Sequence, residues 1–334
     1  MTLRNNLIPF AAFFLLFLVA IAVIIEHENP RPIAEPQSQI ASAAVAQDAF
    51  SGLSLAGKAA IVIDLQNDNV LYALNQDVQL PLASLSKVPL ALAVRDVLSA
   101  DAIITIPRDT APNGSRERLA KGDRWRVQDI IDFTLVSSSN EGAEILAGAA
   151  DDSIRSKYPD APEHSATIWR MNAFAEQLGL NRTYFLNASG LDISPTLSGA
   201  YGSARDIAIL FAYAATEHLP VFGRTADDGL LLTPVNGLNS TKVFNTNEAQ
   251  GQIPGLIMGK TGITDLAGGN LAVVFDAGLS RPFVAVVLGS TREGRFSDIR
   301  QLVSYARVAV AQQKETFAAK PRNLYSQGFS EEVQ

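Results

Sequence analysis

Ser84-Leu85-Ser86-Lys87, Ser138-Ser139-Asn140 and Lys260-Thr261-Gly262 place hydroxyls, two amines and an amide in three short strings of one chain. Together they describe acyl transfer onto serine with lysine as the proton acceptor. A serine hydroxyl is a weak nucleophile until an adjacent base takes its proton. Lys87 follows Ser84 by three residues, which puts both on one helix face and lets the amine reach the hydroxyl. The amine works as a base only if its pKa falls well below about 10.4. Burial lowers it, and so does a neighbouring positive charge, for which Lys260 is the natural source. Ser138 then suits a proton relay between Lys87 and a leaving nitrogen, and Asn140 a hold on the substrate amide. Lys260 and Thr261 offer an ammonium and a hydroxyl to a carboxylate, and Gly262 lets a substrate backbone approach the strand edge. The first two strings each have a bland explanation when taken alone: a capped helix with a surface lysine, and a polar helix-to-loop junction. The reading rests on their joint occurrence, with one Ser-x-x-Lys and one Ser-x-Asn in the whole chain.

Other chemistries fit less well. The chain has no cysteine, which removes thiol nucleophiles, disulfides and cysteine-based metal sites. His27, His164 and His218 lack zinc-type spacing, and no Gly-x-Ser-x-Gly elbow supports a serine–histidine arrangement. The run Gly255-Leu256-Ile257-Met258-Gly259-Lys260-Thr261 resembles a phosphate loop but is one residue short between its glycines. A net charge of −7 over 334 residues argues against a nucleic-acid partner. No cofactor or metal is expected.

Several elements must position these groups. Ser84 precedes the apolar helical pattern Lys87-Val88-Pro89-Leu90-Ala91-Leu92-Ala93-Val94, which predicts a place at a helix N-terminus. Unpaired N–H groups and the positive dipole end favour a developing oxyanion there. Pro89 removes one helix bond, so a tight or distorted first turn is expected. Residues 59–65 and 70–74, on either side of Gln66-Asn67-Asp68-Asn69, predict a hairpin, and 271–275 and 282–288 predict two further strands. Ile299, Leu302, Val303, Ala306 and Val310 form a helical stripe within 298–313, and 127–215 reads as mostly helical. The expected fold class is α+β: an antiparallel sheet built from both chain ends and flanked by helices, plus a mostly helical lobe.

The chain divides by composition. Residues 7–25 form an uninterrupted apolar run, long enough to cross roughly 30 Å of hydrocarbon, with Arg4 before it and Glu26 and Glu28 after it. This predicts an N-terminal membrane anchor over 1–25, with the remainder exported. The rival reading is a cleaved signal sequence, but its first good small-residue site, Ala44-Val45-Ala46, lies far beyond the apolar core. Residues 26–51, rich in Pro, Ala, Ser and Gln, read as a flexible linker, 52–317 as the catalytic domain and 318–334 as a polar tail.

The motif set resembles that of the D-alanyl-D-alanine carboxypeptidase family of low-mass penicillin-binding proteins, within the DD-peptidase/β-lactamase superfamily. The likeness extends from Lys58 to Tyr305. It includes Met171-Asn172-Ala173, Leu178-Gly179-Leu180, Thr183-Tyr184-Phe185, Asn187-Ala188-Ser189-Gly190-Leu191-Asp192, Ser203-Ala204-Arg205-Asp206-Ile207 and Asn245-Thr246-Asn247. The resemblance implies that Ser84 is acylated by the penultimate D-alanine of a peptidoglycan stem peptide, with Lys87 as base and Ser138 and Asn140 assisting. It implies that Lys260 and Thr261 face the terminal carboxylate, that the N–H groups of Ser84 and Ile263 form the oxyanion hole, and that β-lactams bind. Arg295 either reaches the substrate carboxylate or stands exposed on a surface turn. Thr246 stands where some members carry arginine, and Glu141 replaces a more usual aspartate. The chain ends soon after Lys-Thr-Gly, so a β-rich C-terminal domain and C-terminal anchor are not expected. A β-lactamase, a D,D-endopeptidase acting on cross-links and a non-catalytic peptidoglycan-binding protein are the alternatives. Against a β-lactamase, the nearest Glu-x-x-Leu-Asn string, Glu176-Gln177-Leu178-Gly179-Leu180-Asn181, is one residue too long.

Overall fold

Alternation decides the sheet. In the computed structural model, which describes residues 49–107, 119–237, 240–278 and 280–319, β1 (Ala59–Asp64) and β2 (Asn69–Leu74) form the predicted hairpin. They are followed by β3 (Leu80–Pro81), α1 (Lys87–Arg95), β4 (Ile103–Thr105), β5 (Arg124–Arg126), α2 (Val127–Val136), α3 (Asn140–Lys157) and α4 (Ala166–Gln177). Then come β6 (Tyr184–Phe185), β7 (Ala200–Gly202), α5 (Ala204–Glu217), α6 (Leu219–Phe222), β8 (Gly229–Leu232) and β9 (Thr241–Phe244). The last elements are β10 (Leu256–Thr264), β11 (Gly268–Asp276), β12 (Pro282–Ser290) and α7 (Gly294–Ala319). The main sheet runs β10-β11-β12-β1-β2, with β1 antiparallel to β12, so strands from both ends of the domain close one sheet as expected for α+β.

Successive strand residues point to opposite faces. Ile61, Met258, Ala272, Val274, Val284 and Val286 therefore join the core shared with the helical lobe. Val62, Leu271, Val273, Phe275, Ala285 and Val287 pack with Ile299, Leu302, Val303 and Ala306 of α7 on the other face. α1 is apolar on every side and buried from Lys87 to Val94, so it is the axis of the lobe.

The anchor expected over 1–25, nearly all of the linker and the tail beyond 319 lie outside the described residues. Among the described residues no helix is long and apolar enough to cross a membrane.

Candidate active site

Ser84 does not open the α-helix itself. It lies in a 3-10 turn, Ala83–Ser86, that feeds directly into α1. Pro89 explains part of this: it is the third residue of α1, where the N–H has no intrahelical partner to lose. Ala83, just before the nucleophile, has φ +50°, a left-handed conformation rare for a residue with a side chain. Ser138 has φ +60°. Ser138 and the residue before Ser84 thus sit at backbone positions held by their surroundings.

The Lys87 amine is fully buried and donates to Ser84 Oγ at 2.6 Å, Asn140 Oδ1 at 2.8 Å and the Ser189 carbonyl at 2.8 Å. Burial pushes it down to about 7, against an opposing pull from the Glu144 carboxylate. Of the two expected causes, burial is the one that lowers Lys87. Lys260 is itself buried, and its own proton affinity is lowered by desolvation, with Lys87 and Arg295 adding to the effect.

Ser138 is brought to the site but not onto Lys87. Its hydroxyl accepts from Lys260 Nζ at 2.8 Å, and the same amine donates to the Thr261 carbonyl at 2.8 Å. The site therefore contains two serine–lysine pairs, Ser84–Lys87 and Ser138–Lys260. Between them lies the start of α3, where Ser139 caps the helix by accepting from Gly142 N–H and Asn140 is the first helical residue.

The Lys-Thr-Gly string lies on β10, the edge strand of the main sheet, facing the nucleophile turn. Gly262 is required there: a Cβ would stand 2.7 Å from the Leu82 carbonyl oxygen. Ile263 follows it, half-buried. Thr261 Oγ1 is 2.7 Å from Thr246 Oγ1, and Thr246 N–H donates to the Val136 carbonyl at the end of α2. Beside Thr261 this chain thus offers a second hydroxyl.

Arg295 is not on an exposed turn. It is 5% exposed, in the first turn of α7, and its guanidinium donates to the Gly262 carbonyl at 2.9 Å while lying over the Phe296 ring. The apolar packing of Phe296 draws it inward. Burial lowers its pKa to about 10, so it remains charged at neutral pH. Arg295→Ala is expected to slow acylation of Ser84 by benzylpenicillin about 10–100-fold, the worth of one charge-assisted hydrogen bond. Rate constants from time-resolved intact-mass spectra check this.

Residues 187–192 were legible only as a family-like string. In the structure they bind the site together. Ser189 supplies a carbonyl to Lys87, Ala188 one to Ser86 Oγ, and Asp192 accepts from Thr264 Oγ1 and Leu266 N–H just past Lys-Thr-Gly. Asn187 stabilises the loop by accepting from Gly190 N–H and donating to the Leu191 carbonyl. Asn270 of β11 donates to the Pro81 carbonyl and ties the sheet to the nucleophile turn. Of the histidines, His164 is exposed and His218 faces Tyr213, both apart from these contacts.

Comparison with known proteins agrees with this geometry. The profile of the D-alanyl-D-alanine carboxypeptidase family matches residues 42–292. The D-alanyl-D-alanine carboxypeptidase DacB2 of Mycobacterium tuberculosis is 31% identical over 239 residues, covering 70% of this chain and 75% of its own. A D-alanyl-D-alanine endopeptidase of Escherichia coli is 30% identical over 221 residues, covering 64% and 65%. The cefotaxime-bound penicillin-binding protein D2 of Listeria monocytogenes superposes with a TM-score of 0.63 at 27% identity, covering 76% of this chain and 98% of that one. With its reacting groups gathered on the fold these proteins share, the chain belongs to the D-alanyl-D-alanine carboxypeptidase family and is a peptidase hydrolase.

Proposed function

We propose that the chain is a serine-type, penicillin-binding D-Ala-D-Ala carboxypeptidase that trims peptidoglycan stem peptides through an acyl-enzyme on Ser84. One observation carries this reading: the three partners of the Lys87 amine. A neutral amine has two N–H donors and one lone pair. Asn140 Oδ1 and the Ser189 carbonyl are acceptors only, so they take the two donors. The lone pair is left facing the Ser84 hydroxyl, the orientation a general base needs.

The steps follow from these contacts. Lys87 takes the Ser84 proton as Oγ attacks the carbonyl carbon of the penultimate D-alanine. The oxyanion is held by the N–H groups of Ser84 and Ile263; donors of this type contribute about 3 kcal/mol each. As the C–N bond breaks, the leaving D-alanine nitrogen takes a proton from the Ser138 hydroxyl, which Lys260 restores. Asn140, with its Oδ1 on Lys87, keeps its amide N–H groups for the substrate. The terminal carboxylate is received by Lys260 and the hydroxyls of Thr261 and Thr246, with Arg295 adding positive charge beneath Gly262. The proton held by Lys87 returns through solvent to Lys260. Water then attacks the ester as it gives a proton to the neutral Lys87 amine, which passes that proton to Ser84 Oγ as the ester bond breaks. Residues 7–25 hold the domain at the outer face of the cytoplasmic membrane, where peptidoglycan lies.

Intact-mass spectrometry of the full chain tests the proposal, with benzylpenicillin in one reaction and a peptide ending in D-Ala-D-Ala in another. A lasting adduct on Ser84 together with loss of one alanine is the expected result. Rapid penicillin hydrolysis without an adduct would indicate a β-lactamase instead, and neither adduct nor turnover would leave a binding protein.

A further inference from the structure

We propose that Thr225 is a positioning residue of this site: it clasps together the two segments that carry Thr261 and Thr246, and so sets where the carboxylate-binding wall stands. This rests on the roles proposed above for Lys260, Thr261 and Thr246. Thr225 belongs to the 3-10 turn Gly223–Ala226 that follows α6, and it is buried. Its Oγ1 accepts from Gly259 N–H of β10 at 3.1 Å and donates to the Phe222 carbonyl at 2.6 Å. Its own carbonyl accepts from Asn245 Nδ2 at 2.9 Å, and the same amide donates to the Asp227 carbonyl at 2.7 Å. Gly259 directly precedes Lys260, and Asn245 directly precedes Thr246. One residue thus bonds both segments just before their hydroxyls, Thr246 Oγ1 and Thr261 Oγ1, meet at 2.7 Å.

The strand needs such a hold. β10 is an edge strand, paired in the main sheet with β11 alone, and its register against β11 shifts between Leu256 and Met258. Gly259 stands just past that irregularity, and its buried N–H goes to Thr225 rather than to β11. In a strand the N–H groups of alternate residues face the same edge. Thr261 and Ile263 therefore present theirs on the edge that Thr225 meets, and Ile263 is the proposed oxyanion donor. A Cβ on Gly259 would stand 3.3 Å from Asn247 Nδ2, so the Asn245-Thr246-Asn247 string lies directly against β10 here. A buried N–H that loses its acceptor is costly, and the strand relieves that cost by moving. Such a move displaces Lys260, Thr261 and Ile263 together. Thr225 itself bonds none of the reacting groups.

The test measures how fast the full chain is acylated as benzylpenicillin is raised, by time-resolved intact mass. Thr225→Val keeps the side-chain shape and removes the hydroxyl. The slope of its rate against concentration is expected to fall about tenfold, the worth of one hydrogen bond, chiefly through a higher half-saturating concentration. Thr225→Ser keeps the hydroxyl and is expected to restore the slope to within about twofold of wild type. The pH midpoint of acylation, which reports Lys87 on α1, is expected to stay put in both variants. A merely structural loss would shrink the fraction of chain that forms adduct and leave the rate of the remainder unchanged. If Thr225→Val does not fold, Asn245→Ala replaces it; Asn245 is half-buried, and its loss frees the other segment, with the same rise in half-saturating concentration. An unchanged slope in the variant lacking the contact, or a Thr225→Ser chain as slow as Thr225→Val, would overturn the inference and leave the proposed function standing. No adduct on the wild-type chain at any concentration defeats the proposed function and this inference with it.

Discussion

Lys87→Met is expected to lower acylation of Ser84 by about 10²–10⁴-fold, the span a well-placed general base supplies. Methionine matches the length of the lysine stem but has no lone pair to accept the Ser84 proton. The adduct with benzylpenicillin, followed by intact mass, reads the loss directly. The same variant carries a second, independent signature. The folded state holds the Lys87 amine at about 7 against an ordinary 10.5. A buried amine that binds its proton more weakly than the unfolded chain does destabilises the fold wherever the unfolded chain keeps that proton. The penalty is full below pH 7 and disappears as pH rises through 10.5, reaching on the order of 4 kcal/mol at neutral pH. Wild type should therefore gain stability relative to Lys87→Met between pH 7 and 10, measured as the difference in urea midpoints. A stability difference that is flat with pH would mean that Lys87 keeps an ordinary proton affinity in the fold.

Gly190→Ala is expected to damage both the fold and the site from a position that touches no substrate. Gly190 has φ +76°, and a Cβ built there lies 2.0 Å from the Ala83 carbonyl oxygen and 2.6 Å from Ser86 Oγ. Both contacts are with the nucleophile turn, and the first is with backbone that cannot swing aside. Left-handed strain and overpacking together amount to about 2–5 kcal/mol. A fall in Tm of about 10 °C is the expected reading for a domain of this size. Because Ser189 precedes Gly190, relief of the clash drags its carbonyl off Lys87, and acylation should fall by at least about tenfold in the protein that remains folded. Gly179→Ala is the control. Its φ is +69°, but its Cβ would meet nothing within 4 Å, so it carries strain without collision. About 1 kcal/mol of stability should be lost there, with acylation at the wild-type rate. Equal behaviour of the two variants would show that the packing of Gly190 on Ala83 does not hold the site.

These two predictions differ in how much of their basis was visible in the chain. Ser84 and Lys87 are three residues apart, so their contact is a local property of helical geometry. The strands were legible for the same reason: the apolar runs that became β1, β11 and β12 bury alternate residues against two cores. The partners of Lys87 were not. Asn140 is 53 residues away and Ser189 is 102, and no local rule relates them. The pairing of Ser138 with Lys260 spans 122 residues, and reading the strings as chemistry alone led to Lys87 instead. Arg295 could be placed on a surface turn or at the carboxylate because burial of a terminal helical turn depends on what packs over it.

The sequence by itself determined the reacting groups, the periodicities that make sheet and helix, and the family in which such groups act together. Tertiary structure alone decided which lysine bonds which serine, how far each amine loses its proton affinity and why residue 190 must be glycine. Those outcomes depend on desolvation and contact between segments distant in the chain, and both exist only once the sheet, the lobe and the 187–192 loop have packed together.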